Sequence, residues 1–235
     1  TLTISVGTNT APSAQDDSTS DLLFAGLVGE YYGTDSQLNS ISDFRALVES
    51  KEADATFEAA NINYGGGSSD VAKGTHLQEF LGSDASTLST DPGDNTDGGI
   101  HLQGYVYLEA GNYNFKVTAD DGYQITINGN AVATVNKNQS VNTATHASFT
   151  ISESGYQAID MIWWDQGGDY MFQPTLSADG GDTYFALDSS ILSSTGNAPL
   201  TTLSEQALAI SVDSLLENDT DADGDALTVT SISNV

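Results

Sequence analysis

The chain has 235 residues, enough for one large all-β domain or for a domain with additional pieces. Its 33 acidic and 5 basic residues give a formal charge of −28. This charge excludes binding to nucleic acid and to an anionic membrane surface, because both require a basic protein surface. The absence of cysteine excludes disulfides, thiol catalysis and sulfur-ligated zinc.

So many acidic side chains repel one another unless salt or bound cations compensate their charge. Two interpretations follow: the protein has an acidic surface suited to salty surroundings, or cations are bound within its fold, and both can hold. In a large extracellular protein that has many carboxylates and no disulfides, bound calcium usually stabilises the fold instead. No charged-then-apolar leader and no long apolar run occurs, so we expect neither a signal peptide nor membrane insertion. The chain starts and stops within strand-like segments, so we expect a fragment of a longer protein.

The first zone, residues 1–22, contains the alternating strand TLTISVG and a polar connector. Its segment Leu2–Val6 resembles Leu208–Val212 near the other end, and Ala226–Thr230 is a third strand of the same style. Such self-similarity indicates pieces of a repeated module.

The central zone, residues 23–190, alternates between apolar and polar residues and is rich in β-branched and aromatic ones, which predicts strands throughout. The predicted strands are GEYYG, HLQGYVYLEAG, YNFKVTAD, YQITING, NAVATV, ASFTISE, YQAIDMIWW and DTYFALD. Asn128-Gly129 indicates a type I′ hairpin turn. Only the segment 40–60 has room for a helical turn or two, and we expect long loops at 64–69 and 91–99.

The third zone, residues 191–235, contains ISVDSLLENDTDADGDALTVTSISN. This run resembles the calcium-binding joint of the cadherin-like, immunoglobulin-like repeats of giant bacterial RTX adhesins, and TNTAPSAQDDS resembles the start of such a repeat. In that family the connector leads almost directly to the strand, whereas here the central zone intervenes. We therefore expect the central domain to be inserted into a split immunoglobulin-like β-sandwich whose two ends come together.

The acidic run of this joint places an oxygen ligand at every second position around one glycine, as calcium loops do. A solvated acidic turn is the weaker interpretation of that spacing. We expect a structural calcium site here that confers rigidity rather than recognition. The expected ligands are Asp16, Asp17, Asn218, Asp219, Asp221, Asp223 and Asp225.

The central zone resembles the protective-antigen-type (PA14) β-sandwich module. The resemblance rests on the order of GLVGEYYG, then HLQGYVYLEAGNYNFKVTADDGYQITINGNAVATV, and then SGYQAIDMIWWDQGGDYMFQPTL. The lectin branch of that family joins two neighbouring aspartates by a cis peptide to hold calcium, and a later loop supplies an amide side chain and backbone carbonyls. The resemblance implies that Asp120, Asp121, Gln166, Gly167 and Asp169 are the calcium ligands here.

The residues support the same site on physical grounds. Two adjacent carboxylates on a bend repel each other unless a cation lies between them or one is protonated. Calcium accepts six to eight oxygens, so about five protein ligands leave two positions for the vicinal hydroxyls of a sugar. Gln166 is one methylene longer than the Asn that relatives often use, and Gly167-Gly168 makes the loop compliant, which favours a small terminal sugar gripped by its diol.

Other polar and aromatic residues are candidates for contacting the sugar. Ile159, Met161 and Trp163 share one face of a strand, which predicts that Trp163 packs in the core. Trp164 lies on the opposite face, so a stacking platform for a sugar remains open. Gln103 either lines the site or is an ordinary polar strand residue. The expected carbohydrate-binding set is Asp120, Asp121, Gln166, Gly168, Asp169, Gln103 and Trp164.

Three functions compete. The leading one is a calcium-dependent lectin module, a monomeric unit of an extracellular adhesin on a bacterial cell surface, that binds fucose- or glucose-type sugars or cell-surface glycans. The alternative is a calcium-stiffened spacer without sugar binding. A glycoside hydrolase comes last, because carboxylates bound to calcium stay ionised and cannot donate a proton; no serine elbow, H-E-x-x-H or Walker loop occurs either. We therefore expect no enzyme activity.

Overall fold

The computed structural model describes residues 26–195 and 221–222. Residues 26–195 belong to one compact unit. Of the joint residues only Asp221 is among those described, and it is half-buried. The split immunoglobulin-like host and the rest of the joint lie outside the described residues and stay predictions.

The described part contains two α-helices, one 3-10 helix and thirteen strands. The helices are α1 (Ile41–Ser50), α2 (His76–Leu81) and the 3-10 helix Gly82–Thr87. The strands are β1 (Leu27–Thr34), β2 (Ala55–Ala59), β3 (Tyr64–Ser68), β4 (Asp97–Leu108), β5 (Gly111–Asp120), β6 (Tyr123–Ile127), β7 (Asn130–Val135), β8 (Asn142–Thr145), β9 (Phe149–Ile151), β10 (Gly155–Asp165), β11 (Asp169–Ser177), β12 (Phe185–Ala186) and β13 (Leu192–Ser193). None of these helices is long and apolar enough to cross a membrane.

The strands form two antiparallel sheets. The first has the order β2-β1-β4-β10-β6-β7, with β13 also paired to β4. The second has the order β12-β11-β5-β8, with β3 paired to β11 and β9 to β5. The predicted all-β sandwich is confirmed.

The core lies between the inner faces of the two sheets, and β10 shows how the sequence builds it. Ile159, Met161 and Trp163 are at most 2% exposed, as their shared face predicts. Trp163 stacks on Phe80 of α2 with ring centroids 4.3 Å apart. Trp163 is therefore a core residue, as expected.

The outer face of the first sheet is also covered at one end. Helix α1 begins at the N-cap Ser40, whose hydroxyl accepts a hydrogen bond from the N–H of Asp43. Its Phe44 packs with Trp164 and Ile162 in a second, smaller apolar cluster. This cover buries residues that alternation places on the outside of the sheet.

Several local predictions can be compared with the structure. The Asn128-Gly129 hairpin turn is confirmed, since both residues have positive φ and join β6 directly to β7. The segment 40–60 contains one helix, α1, followed by the strand β2. The expectation of strands with only that helical segment was wrong for His76–Thr87, where α2 and the 3-10 helix lie.

The predicted loop at 64–69 was wrong, because most of it is β3, which pairs with the unpredicted strand β11. A Cβ atom on Gly67 would lie 1.8 Å from the hydroxyl of Tyr170, so only glycine allows the strands to approach. Pro174 of β11 is opposite Val117 of β5, and on the other side of the strand it lies between the segments that pair with β3 and β12. The predicted loop at 91–99 ends at Asp97, where β4 begins.

Candidate metal and ligand site

The candidate site forms where the chain crosses from the second sheet to the first. Strand β5 ends at Asp120, and the chain enters β6 through Asp121 and Gly122. The N–H of Asp121 donates to the carbonyl of Trp164 (3.2 Å), and the N–H of Trp164 donates to the carbonyl of Gly122 (3.2 Å). This pairing places the end of β10 beside the two aspartates.

Three carboxylates meet at this crossing. The peptide bond between Asp120 and Asp121 is cis, as the resemblance implies. Asp165, the last residue of β10, joins them, and one oxygen of each of the three lies within 4.8 Å of the others. All three side chains are at most 5% exposed. No Lys or Arg in the described part of the chain forms an ion pair with them.

Backbone N–H groups hold two of these carboxylates in place. Asp121 accepts hydrogen bonds from the N–H of Gln139 (2.8 Å) and of Gln166 (2.7 Å). Asp165 accepts from the N–H of Val71 (2.7 Å) and of Gly167 (2.9 Å). The two side chains therefore tie three surface loops to the crossing.

The electrostatic state of the cluster follows from burial and mutual repulsion. Burial, followed by the charges of Asp121 and Asp169, raises the pKa of Asp120 to about 7. Burial also raises the pKa of Asp165 to about 7, although its bonds from two backbone N–H groups oppose the shift. Burial raises the pKa of Asp121 as well. A cation bound among them would offset the cost of keeping these groups ionised.

The loop after β10 contributes the other expected ligands. The side-chain oxygen of Gln166 accepts a bond from Asn138 (3.3 Å) and keeps a second lone pair. Gly167 and Gly168 have φ of 109° and 98°, a backbone region that favours glycine. The carbonyl of Gly168 accepts from the N–H of Ser69 (2.7 Å), while its Cα side faces open space. Asp169 is exposed at the start of β11.

Two expected sugar-contacting residues do not face this site, Trp164 because it is buried and Gln103 because it is distant. Trp164 is fully buried under α1, and its indole N–H donates to Asn138 (2.9 Å), so its ring offers no stacking surface. Gln103 is opposite Asp160 in register, whereas the end of β10 at Asp165 is opposite Gly98. Five residues of strand separate these positions, about 17 Å, so Gln103 does not line this site.

Sequence reasoning missed Asp165, Gln139 and Asn138. Asp165 had a visible signal, since it directly follows the aromatic pair of a core strand just as Asp121 follows β5. The other two lie in the loop after β7, and nothing in their local sequence indicates that this loop folds back onto the crossing. Their roles depend on the tertiary fold.

Gly122 of the D-D-G motif is fixed by packing. A Cβ atom there would lie 2.2 Å from a ring carbon of Trp164 and 2.8 Å from the carbonyl oxygen of Lys137. The motif therefore combines two carboxylates with a glycine. Glycine is required at position 122 because any side chain would push the Trp164 ring and the 136–141 loop away from the crossing.

No family model and no curated protein matches the chain. Among solved structures, the PA14 domain of the antifreeze protein MpAFP is 88% identical, with a TM-score of 0.76 over 80% of this chain and 100% of that one. The chain belongs to the PA14 family. The PA14 sugar-binding domain from an RTX adhesin is 40% identical, with a TM-score of 0.69 over 72% of this chain and 98% of that one.

A more distant solved structure shares the fold. The epithelial adhesin 6 A domain of Candida glabrata, solved in complex with Galb1-3GlcNAc, is 18% identical with a TM-score of 0.52 over 72% of this chain and 86% of that one. At this identity the likeness concerns the fold alone.

Proposed function

We propose that this PA14 domain is a calcium-dependent carbohydrate-binding module of an extracellular bacterial adhesin. The observation that carries the proposal is the buried cluster of Asp120, Asp121 and Asp165, three carboxylates whose oxygens lie within 4.8 Å of one another. Its family supports the ligand class, because the 40% identical PA14 domain is described as the sugar-binding domain of an RTX adhesin. A role as a monomeric, non-enzymatic module on a bacterial cell surface belongs to the same proposal.

The donor set fits calcium. Calcium is a hard cation that takes oxygen ligands and tolerates irregular geometry. Asp120, Asp121 and the side chain of Gln166 would supply oxygens, together with the carbonyls of Gly167 and Asp169. Asp165 lies beside them and, when ionised, adds a third negative charge. It accepts hydrogen bonds from two backbone N–H groups, which orient the loop that carries Gln166 and Gly167.

Calcium, when bound, would supply positive charge and open coordination positions for the vicinal hydroxyls of a sugar. The chain keeps the approach clear, because Gly168 carries no side chain and its Cα side faces open space. Small terminal residues of the fucose or glucose type fit such an approach. Because affinity would come from few contacts, a single site binds weakly and adhesion relies on many copies.

The alternative is a calcium-stiffened spacer that binds no sugar. The acidic run 218–225 favours it, because its alternating oxygens are typical of a structural calcium loop. The two functions are separable, because calcium bound to the run 218–225 would stabilise the fold even when the Asp121 site binds no calcium.

A glycan array probed with the full chain tests the proposal in calcium and in excess chelator, with the variants Asp121→Asn and Glu58→Gln. Asp121→Asn keeps the shape of the side chain and removes one buried carboxylate charge. Glu58 is exposed on β2, so Glu58→Gln is a matched charge control.

We expect binding of fucose and glucose monosaccharides in calcium by the wild type and by Glu58→Gln, and loss of this monosaccharide binding in chelator or with Asp121→Asn. Monosaccharide binding that persists in chelator with Asp121→Asn would contradict the mechanism. A calcium-dependent melting temperature without retention on any glycan would instead establish the spacer.

A further inference from the structure

A second polar surface lies on the outer face of the first sheet, beyond the end covered by α1. Val28, Gln103, Asp160 and Thr126 are opposite one another in register and form one row across β1, β4, β10 and β6. Together with Arg45, Gln124 and Tyr105 they line a groove of about 730 Å³, which is called the outer-face groove here. This volume falls within the range of small-molecule sites, about 300–1,000 Å³.

Planar polar groups converge on the outer-face groove. Arg45 of α1 donates from Nη2 to Asp160 (2.9 Å) and to Gln124 (3.0 Å), and Gln103 donates to the other oxygen of Asp160 (3.4 Å). The Arg45 side chain is 37% exposed, and its Nη1 and Nε have no partner among the described residues. The groove therefore offers unused guanidinium donors, the exposed amide of Gln103 and the half-buried amide of Gln124.

A buried histidine between two half-buried carboxylates supports these groups from the side of α1. His101, only 7% exposed, lies between two carboxylates, with Nε2 2.6 Å from Asp160 and Nδ1 3.5 Å from Glu30. Burial alone raises the pKa of Asp160, but its bonds to His101 and Arg45 outweigh this effect and lower the pKa to about 2. The Asp160 carboxylate is thus a permanently charged acceptor whose position is fixed from both sides.

Aromatic side chains continue the same face toward the other end of the strands. Tyr105 and Tyr107 follow Gln103 at alternate positions of β4, and Tyr107 packs edge-on against Tyr156 with ring centroids 5.4 Å apart. Tyr107 is 39% exposed. Ala158 lies opposite Tyr105 and is exposed, so a small side chain leaves space beside the tyrosine ring. Tyrosine rings next to amide groups match the alternating apolar and hydroxyl faces of sugar rings.

The charge of the groove favours a neutral occupant. Arg45 is the only arginine of the chain, and it is already paired with Asp160, while the formal net charge of −28 disfavours acidic ligands. A peptide would add to a sheet edge through its backbone, whereas this groove lies on a sheet face. We propose that the outer-face groove is a second, calcium-independent site that binds a short neutral oligosaccharide. It goes beyond the calcium-dependent function proposed above and does not depend on it.

The experiment titrates maltotriose, cellotriose and chitotriose into the full chain carrying Asp121→Asn in excess chelator, and follows side-chain amide signals by NMR. This background silences the proposed calcium site. We expect millimolar binding of at least one trisaccharide, with the largest shifts at the amides of Gln103 and Gln124. Gln103→Ala and Tyr105→Ala should each weaken binding about tenfold, and Thr143→Ala, on exposed β8 of the other sheet, should leave it unchanged.

The two proposals fail in different ways. If none of the three trisaccharides binds in chelator, or if the groove variants bind as well as Thr143→Ala, the second site is refuted while the calcium-dependent function is untouched. If binding in chelator persists but calcium adds none to the wild type, the second site stands and the calcium-dependent function fails. Gln103 is exposed with one long hydrogen bond, so Gln103→Ala provides the test even where Tyr105→Ala fails to fold.

Discussion

Replacing Gly122 by alanine tests whether the aspartate crossing is held in place by the ring of Trp164. The added Cβ would lie 2.2 Å and 2.3 Å from two ring carbons of Trp164 and 2.8 Å from the carbonyl oxygen of Lys137. Ordinary contacts of a Cβ atom lie at 3.4–4 Å. The ring must therefore move by about 1 Å and the 136–141 loop by about 0.6 Å.

Neither element can move at low cost. Trp164 is fully buried against α1, and the loop provides the N–H of Gln139 that bonds to Asp121. Inserting a methyl group into such packing costs about 1–3 kcal/mol. A loss of about 2 kcal/mol lowers the melting temperature of a domain of this size by roughly 4–8 °C. Because Asp121 is adjacent, we expect calcium affinity to fall at least tenfold.

Thermal unfolding in chelator and calorimetric titration with calcium measure the two effects separately. Gly111→Ala is the control, because Gly111 begins β5, the strand that leads to the crossing, and its added Cβ would contact only Tyr113, at 3.7 Å. If Gly122→Ala matches Gly111→Ala in both melting temperature and calcium affinity, Trp164 does not position the crossing.

Three further predictions concern other parts of the domain. Calcium at a hundredfold excess over its dissociation constant should stabilise the wild type by about 2.7 kcal/mol in urea unfolding; Asp121→Asn should reduce this gain and Glu58→Gln should not. The pKa of Asp160 lies at about 2, below its ordinary 3.8, so the ionised carboxylate stabilises the fold. Asp160→Asn should therefore lower the free energy of unfolding by about 1–2 kcal/mol above pH 4, and this difference from wild type should vanish as the pH falls toward 2. A difference that grows below pH 4 would contradict the lowered pKa of Asp160. Tyr64→Phe removes the buried hydrogen bond to Asp84 (2.7 Å) and should lower the free energy of unfolding by about 1–3 kcal/mol in the same assay. An unchanged free energy would show that the hydroxyl of Tyr64 does not stabilise the buried Asp84 carboxylate.

The sequence alone predicts those parts of the fold that local pattern determines. Alternation along β10 predicts the burial of Trp163, and Asn128-Gly129 predicts the turn between β6 and β7, because each depends on a few neighbouring residues. The position of the aspartate pair at the end of a strand is predicted in the same way, and the resemblance adds the cis peptide bond.

The remaining features depend on elements distant in sequence. The burial of Trp164 requires α1, and alternation within β10 cannot show that a helix covers the outer face. Three consecutive glycines favour a loop, yet Gly67 is in a strand because Tyr170 of β11 lies against it. Strand β11 was not among the predicted strands, and it contains Pro174, a residue that is unusual in a strand interior.

Strand β10 links the two proposed sites. Asp165 lies at its end within the carboxylate cluster, and Asp160 lies five residues earlier in the outer-face groove, about 17 Å along the strand. A glycan long enough to reach both sites would bind the second one intramolecularly, at a high effective concentration. Oligosaccharides of increasing length should therefore show a step in affinity once they span this distance, in calcium but not in chelator. A smooth increase with length, equal in both conditions, would mean that the two sites act independently.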